Sequence, residues 1–381
     1  METFALRDAF GRNILQCGEA EIHACKATLQ VTERQVCMSE DNLCTAGSQS
    51  VKLKKEVYIN GSASIVGKKE GEGPLGLLFD MVGEDDMFGC NTWEEAESSL
   101  QKDAVYMALG KAGKKPEDMR YIFAGDLLGQ SIATSFGIMN YQIPLLGVYG
   151  ACSTCGESLT LGAMAVSGGF ADNVICVTSS HFASAEKEFR FPLGYGNQRP
   201  LSASWTVTGS GAFVLGSRKE AGARARITAM TVGKIVDYGL KDSLNMGACM
   251  APAAASTIAA HFTDFNSQPE NYDKIITGDL GSVGQRVLID LLRDAGYDIS
   301  ERHMDCGMEI YDADTQDTHA GGSGCGCSAV TLSAYILKQI ADGNWKKVFF
   351  VPTGALLSKT SFNEGQTVPG IAHGVVIESL G

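Results

Sequence analysis

The stretch PEDMRYIFAGDLL, beginning at Pro116, returns as PENYDKIITGDLG, beginning at Pro269. Pro, Glu, Ile, Gly, Asp and Leu recur in register without a gap. Other pairs follow in the same order. ASIVGKK near Ser64 matches AMTVGKI near Thr231, and GSGAFVLGS matches AHGVVIES at the end. The longest pair is GACSTCGESLTLGAMAVSGGFADNVICVTSS with GCGCSAVTLSAYILKQIADGNWKKVFFVPTG. A chain that repeats its element order once, over residues 51–220 and 221–381, folds as two like halves. A solenoid would need shorter and more numerous repeats.

Within each half, strand-like and helix-like segments alternate, which is the α/β pattern. A first strand leads to an excursion, then to a helix (around 93–109, and 251–262) and a strand ending in Gly-Asp-Leu. A helix rich in small residues follows Cys152 in one copy and Cys327 in the other, closed by Gly168 and Gly343, as helix C-termini commonly are. Gly162, Ala163, Ala165 and Ser167 predict close packing of the first of these helices on the second. Two such halves, each with a mostly buried sheet, predict a five-layer α-β-α-β-α sandwich. Residues 1–50 carry Cys17, Cys25, Cys37, Cys44 and His23 with no CxxC pair and no sustained periodicity. That segment reads as a poorly ordered extension, dispensable for folding, and neither a metal nor a cofactor is expected.

The net charge of −13, with no Lys/Arg cluster to relieve it, argues against nucleic-acid binding. No apolar stretch approaches the roughly 18–20 residues needed to span a bilayer, and the start lacks the apolar core of a signal peptide. Twelve cysteines at irregular spacings suit a reducing compartment better than a disulfide framework. The expectation is a soluble intracellular chain, at most peripheral to a membrane.

The duplication and the turns GACST and GGSGCGCSA resemble the thiolase fold, shared with the β-ketoacyl-acyl-carrier-protein synthases. The resemblance narrows with GPLGLLFD, AGDLLGQ, SSHFASAEKEFRFP, WTVTGSGA, MAPAAA, TGDLGSVG, DCGMEIYD, AGGSGCGCSAV, TGALLS and IAHGVV. Together, over residues 51–381, these resemble the stage V sporulation protein AD family of endospore-forming bacteria. That resemblance implies a homodimer that handles dipicolinic acid, free or as its calcium chelate, in spore formation and germination. It also implies work beside the other stage V sporulation A membrane proteins, in the cytoplasm or forespore at the spore inner membrane.

Cys152 sits where an apolar run ends and a helix begins. A thiol there sees unpaired N–H groups and the positive end of the helix dipole. Acyl transfer also needs a base or proton donor and groups to hold an oxyanion. By resemblance, a condensing enzyme has a histidine where this chain has Asp279, and a thiolase has another where Ser323 stands. The second thiolase cysteine would fall near VPGIAHG, which holds none. His319 and His373 are the candidate substitutes. The reading is therefore not an enzyme, with an acyltransferase using Cys152 as its rival. A scaffold for membrane proteins is the third.

The segment from His181 to Gly211 gathers His181, Lys187, Arg190, Arg199, Tyr195 and Trp205 against only Glu186 and Glu188. It predicts a local cationic and aromatic lining for a flat dianion. Arg190 would grip one carboxylate, His181 would donate to another, and Trp205 would cover the ring. The predicted ligand-binding set is Cys152, Ser153, His181, Arg190, Trp205, Asp279 and Ser323. Asp126 and Asp279, the paired acids of the two halves, are expected to orient Arg or Lys side chains or to cap a helix.

Overall fold

The computed structural model describes residues 44–189 and 199–381. The expected alternation is present. In the first half, strands β1 (Ser50–Val66), β2 (Tyr121–Gly125), β3 (Leu145–Gly147), β4 (Asn173–Ser180) and β5 (Gly209–Gly216) alternate with four helices. These are α1 (Trp93–Ala112), α2 (Ile132–Ile138), α3 (Thr154–Ser167) and α4 (Phe182–Phe189). The second half has β6 (Ala225–Thr231), β7 (Lys274–Thr277), β8 (His303–Asp305), β9 (Lys347–Val351) and β10 (Gly374–Glu378). Its main helices are α5 (Met246–Asp264), α6 (Gly281–Asp294) and α7 (Cys325–Thr331).

The strand order runs β8-β7-β9-β10-β6-β1-β5-β4-β2-β3. From the seam between β6 and β1 outward, both halves therefore read first, fifth, fourth, second, third. The directions match too. β2 is parallel to β3 and β4, and β7 to β8 and β9, while the inner pairs are antiparallel. The Gly-Asp-Leu segments follow β2 and β7, which occupy equivalent places. The two arrays are joined rather than separate. β1 pairs antiparallel with β6 through Ser50–Lys52 and again through Val57–Ile59, with an irregularity between.

Layering follows from strands that are apolar on both faces. Ile175 and Val177 of β4 face outward with Leu100, Ala104 and Val105 of α1, while Val174 and Cys176 face inward. In β9, Phe349 and Val351 join Ile258 and Phe262 of α5, and Val348 and Phe350 face inward. Leu159 and Ala163 of α3 and Ala329 and Val330 of α7 fill the space between.

The two central helices touch, but Gly162 does not serve that contact. A Cβ there would lie 2.6 Å from Sγ of Cys176, so its smallness brings α3 onto its own sheet. The crossing between halves depends on other glycines. Gly156 at the start of α3 abuts the carbonyl of His373, and Gly326 in α7 abuts Gly209.

Candidate functional site

The chain leaves β3, turns through Val148–Ala151 and enters α3 at Thr154. Ala151 takes a left-handed φ of +51°, which a residue with a Cβ rarely adopts. Hydroxyls brace the turn: Ser153 Oγ donates to Gly150 O at 2.7 Å and Thr154 Oγ1 to Ala151 O at 2.6 Å. Ser153 is buried and spoken for by that bond. It ties the turn together and is not placed to hold a ligand.

Asp279 comes from the other half to meet Cys152. Its Oδ2 accepts from Gly324 N at 2.9 Å and its Oδ1 from Thr353 Oγ1 at 2.8 Å. The thiol of Cys152 faces the same carboxyl closely enough for each to shift the other. Burial, then the charge of Asp279, push the Cys152 thiol well above its ordinary value, against a smaller opposing effect of the Gly324 amide. Burial also lifts Asp279 to about 7, opposed by its neighbours Gly324, Cys152 and Thr353. A carboxyl group therefore stands beside the thiol, and both groups are pushed toward their neutral forms by burial.

The repeated acids do different work. Asp126 accepts from Leu128 N, Thr134 N and Thr134 Oγ1 at 2.8, 2.7 and 2.6 Å, and so caps α2. In the second half Asp305 on β8 takes the corresponding loop amide, Gly281 N at 3.0 Å, together with Leu280 N at 2.8 Å. Asp279 is thereby left to face the thiol.

A pocket of about 130 Å³ opens above Cys152. Leu127, Tyr149, Ala151, Met246, Ala355 and Leu357 give it apolar walls, and Thr206, Ser323, Ser358, Glu188 and Lys359 give it polar ones. Lys359 lies 3.8 Å from Glu188. The hydroxyl of Thr206 is buried without a hydrogen-bond partner among the described residues. Of the expected ligand set, Cys152 and Ser323 line this pocket and Asp279 backs the thiol.

His181 does not line it. Its Nε2 donates to Asp86 O at 2.7 Å and its Nδ1 accepts from Ala183 N at 3.2 Å, so both ring nitrogens are engaged within the protein. Trp205 turns away as well, because it and Thr206 are neighbours on one short strand and point to opposite faces. Arg190 and Tyr195 lie outside the described residues. His319 bonds Pro200 O at 2.9 Å, and His373 accepts from Gly233 N at 3.3 Å, with burial lowering it to about 4. None of the five described histidines is among the pocket's lining residues, and the described residues hold no cluster suited to a metal. Sequence reasoning missed Thr206, Thr353 and Gly324. Thr206 was within reach, since strand alternation beside Trp205 assigns it the other face.

The duplicated sandwich with a cysteine elbow where the halves meet defines a thiolase-fold protein. Solved structures agree on the fold. The 3-oxoacyl-[acyl-carrier-protein] synthase III of Aquifex aeolicus VF5 superposes with TM-score 0.52 at 15% identity, covering 84% of this chain and 99% of that one. The tetronic acid condensing enzyme AbyA1 gives 0.52 at 16%, covering 85% and 100%. Human mitochondrial 3-ketoacyl-CoA thiolase gives 0.50 at 13%, covering 86% and 99%. Sequence goes further than fold. The profile of Stage V sporulation protein AD (SpoVAD) matches residues 47–378. The protein of that name from Bacillus subtilis (strain 168) is 44% identical over 335 residues, 88% of this chain and 98% of that protein. The chain belongs to the stage V sporulation protein AD family. No helix among its described residues is long and apolar enough to cross a membrane.

Proposed function

We propose that this protein is a non-catalytic thiolase-fold receptor for dipicolinic acid, working as a homodimer with a membrane complex that moves the compound into and out of spores. The observation that carries the non-catalytic part is the pairing of Cys152 with Asp279. A carboxylate cannot donate to a carbonyl oxygen, and its charge opposes the thiolate that acyl transfer requires. The family supplies the spore setting. The pocket supports a small planar ligand, with apolar walls for a ring and the unbonded Thr206 hydroxyl, Ser323 and Lys359 for carboxylates. A dianion leaving water must regain hydrogen bonds of this kind.

Calorimetric titration with dipicolinate, with and without calcium, tests the reading. Saturable binding lost in a Thr206→Val variant is the expected result. No binding in either condition defeats it. Intact-mass measurement after incubation with acyl-coenzyme A should show no adduct, and a stable adduct on Cys152 would make the protein an acyltransferase.

A further inference from the structure

On the face of the Trp205–Thr206 strand opposite the pocket, Trp205 anchors a second cluster. Phe182 stacks on its indole with ring centres 5.4 Å apart. Two cations meet the same ring, Lys69 Nζ at 4.7 Å and Arg199 Cζ at 4.8 Å from its centre. Cations are drawn to an aromatic face, but two of them repel each other, and an anion must offset that.

Asp317 is the anion present. Its Oδ2 accepts from Arg199 Nη2 at 3.2 Å, and its Oδ1 lies 3.1 Å from His319 Nε2. Asp317 is nevertheless 78% exposed, while the Arg199 side chain is 2% exposed. Nε and Nη1 of Arg199 are buried with no hydrogen-bond partner among the described residues. A buried guanidinium left partly unbonded keeps its desolvation cost uncompensated. Of the other acids nearby, Glu70 accepts through Oε1 from the Tyr311 hydroxyl and Thr208 N, and Glu186 accepts from Thr206 N. Lys69 donates to Gln316 O at 2.5 Å and, among the described residues, forms no ion pair within 4 Å, although the charges of Glu70, Asp317 and Glu72 reach it.

We propose that Lys69, Arg199 and His319 form an oxyanion-binding site beside Trp205, which the Asp317 carboxylate occupies as an internal stand-in for a ligand's carboxylate or phosphate. The guanidinium fork suits either group, since both present paired oxygens. Ring stacking is not part of recognition at this site, because Phe182 already covers the indole. The ligand is a small anion bound through one oxyanion group. The site shares no side chain with the pocket at Cys152 and does not rest on the dipicolinate reading.

Trp205 reports on the site. Its fluorescence, isolated by subtracting a Trp205→Phe variant, is followed while inorganic phosphate or acetate is added at constant ionic strength. Asp317→Asn removes the competing charge, and asparagine tolerates the left-handed φ of +51° at that position. That variant should bind one or both anions roughly tenfold more tightly than the unaltered protein. Lys69→Gln, placed in the Asp317→Asn background, should reverse the gain. The better-bound anion identifies which group the site takes. Equal affinity with and without Asp317 for both anions, or a gain that Lys69→Gln leaves intact, overturns the proposal. Neither result bears on dipicolinate binding at Cys152.

Discussion

The carboxyl of Asp279 faces the thiol of Cys152 between the two halves of the chain, and its charge adds to burial in holding that thiol un-ionised. Removing the charge should release the thiol. Asp279→Asn keeps an oxygen for Gly324 N and takes away the negative charge that holds Cys152 up. Alkylation of Cys152 by iodoacetamide at pH 8 should quicken about tenfold for each pKa unit recovered, read by intact mass against a Cys152→Ser background. An unchanged rate would mean that burial alone silences the thiol. Cys152→Ser should melt within about 2 °C of the unaltered protein, since a hydroxyl is close in size to the thiol and can donate to the carboxyl it faces.

Buried carboxyls set the alkaline side of stability. Burial raises Glu97 to about 8 and Asp279 to about 7. Glu97 lies on the buried face of α1, accepting from Ser179 Oγ at 2.9 Å and Ser184 Oγ at 2.7 Å. A group whose folded pKa lies above its unfolded one stabilises fully below the unfolded value and loses that contribution as pH rises through the folded value. Buried histidines act in the opposite direction and lower down, His261 at about 3 and His303 and His373 at about 4. Above pH 6.5 the carboxyls therefore govern. Thermal melts should fall between pH 6.5 and 8.5, and Glu97→Gln should flatten that fall by at least about 2 °C at pH 8.5. A slope unchanged by the substitution would place the alkaline loss elsewhere.

The layers were legible in the sequence because apolar runs such as VICV and VFFV admit only strands covered on both sides. The repeat was legible because Gly-Asp-Leu returns in register. What the two aspartates do was not. Asp126 and Asp279 hold equivalent places, and their roles diverge because Asp305, on another strand, takes the Gly281 amide, the counterpart of the Leu128 amide that Asp126 holds in the first half. No local pattern announces that exchange. His181 was misplaced for a related reason, since its partner Asp86 O belongs to the excursion after β1. Lys69 went unnoticed within GKKEGEG, where it reads as one more solvated charge. Only the approach of Trp205 and Gln316 gives it a role.

The start of the fold makes a sharper test than a boundary at residue 50. Asp264 accepts from Ser48 N, Gln49 N and Ser50 Oγ at 3.0, 3.1 and 2.8 Å. Ser50 continues to Thr231 at 2.8 Å, Thr231 to His261 at 2.7 Å, and His261 to Tyr272 at 2.6 Å. A chain beginning at residue 51 leaves the buried end of this relay unsatisfied, a cost of roughly 1–3 kcal/mol. It should melt several degrees below a chain beginning at residue 44. Equal melting temperatures would show that the relay contributes nothing to stability.

The proposed homodimer can be tested at one sheet edge. Among the described residues β3 is the last strand of the first half's array, paired with β2 on one side only. Leu145 and Leu146 are exposed there, as are Ile132, Phe136 and Met139 of the neighbouring α2 segment and Tyr149 just beyond. An exposed apolar edge strand is a template for pairing, and proteins that keep one usually cover it. A second copy related by a twofold axis would place β3 against itself in antiparallel register, continuing the sheet and burying the same side chains on both subunits. Light scattering should give twice the chain mass. Leu146→Lys should shift the protein to the single-chain mass without lowering helix content, because the side chain is exposed in the isolated subunit and only pairing would bury its charge. A lysine variant that remains a dimer would move the interface to another face.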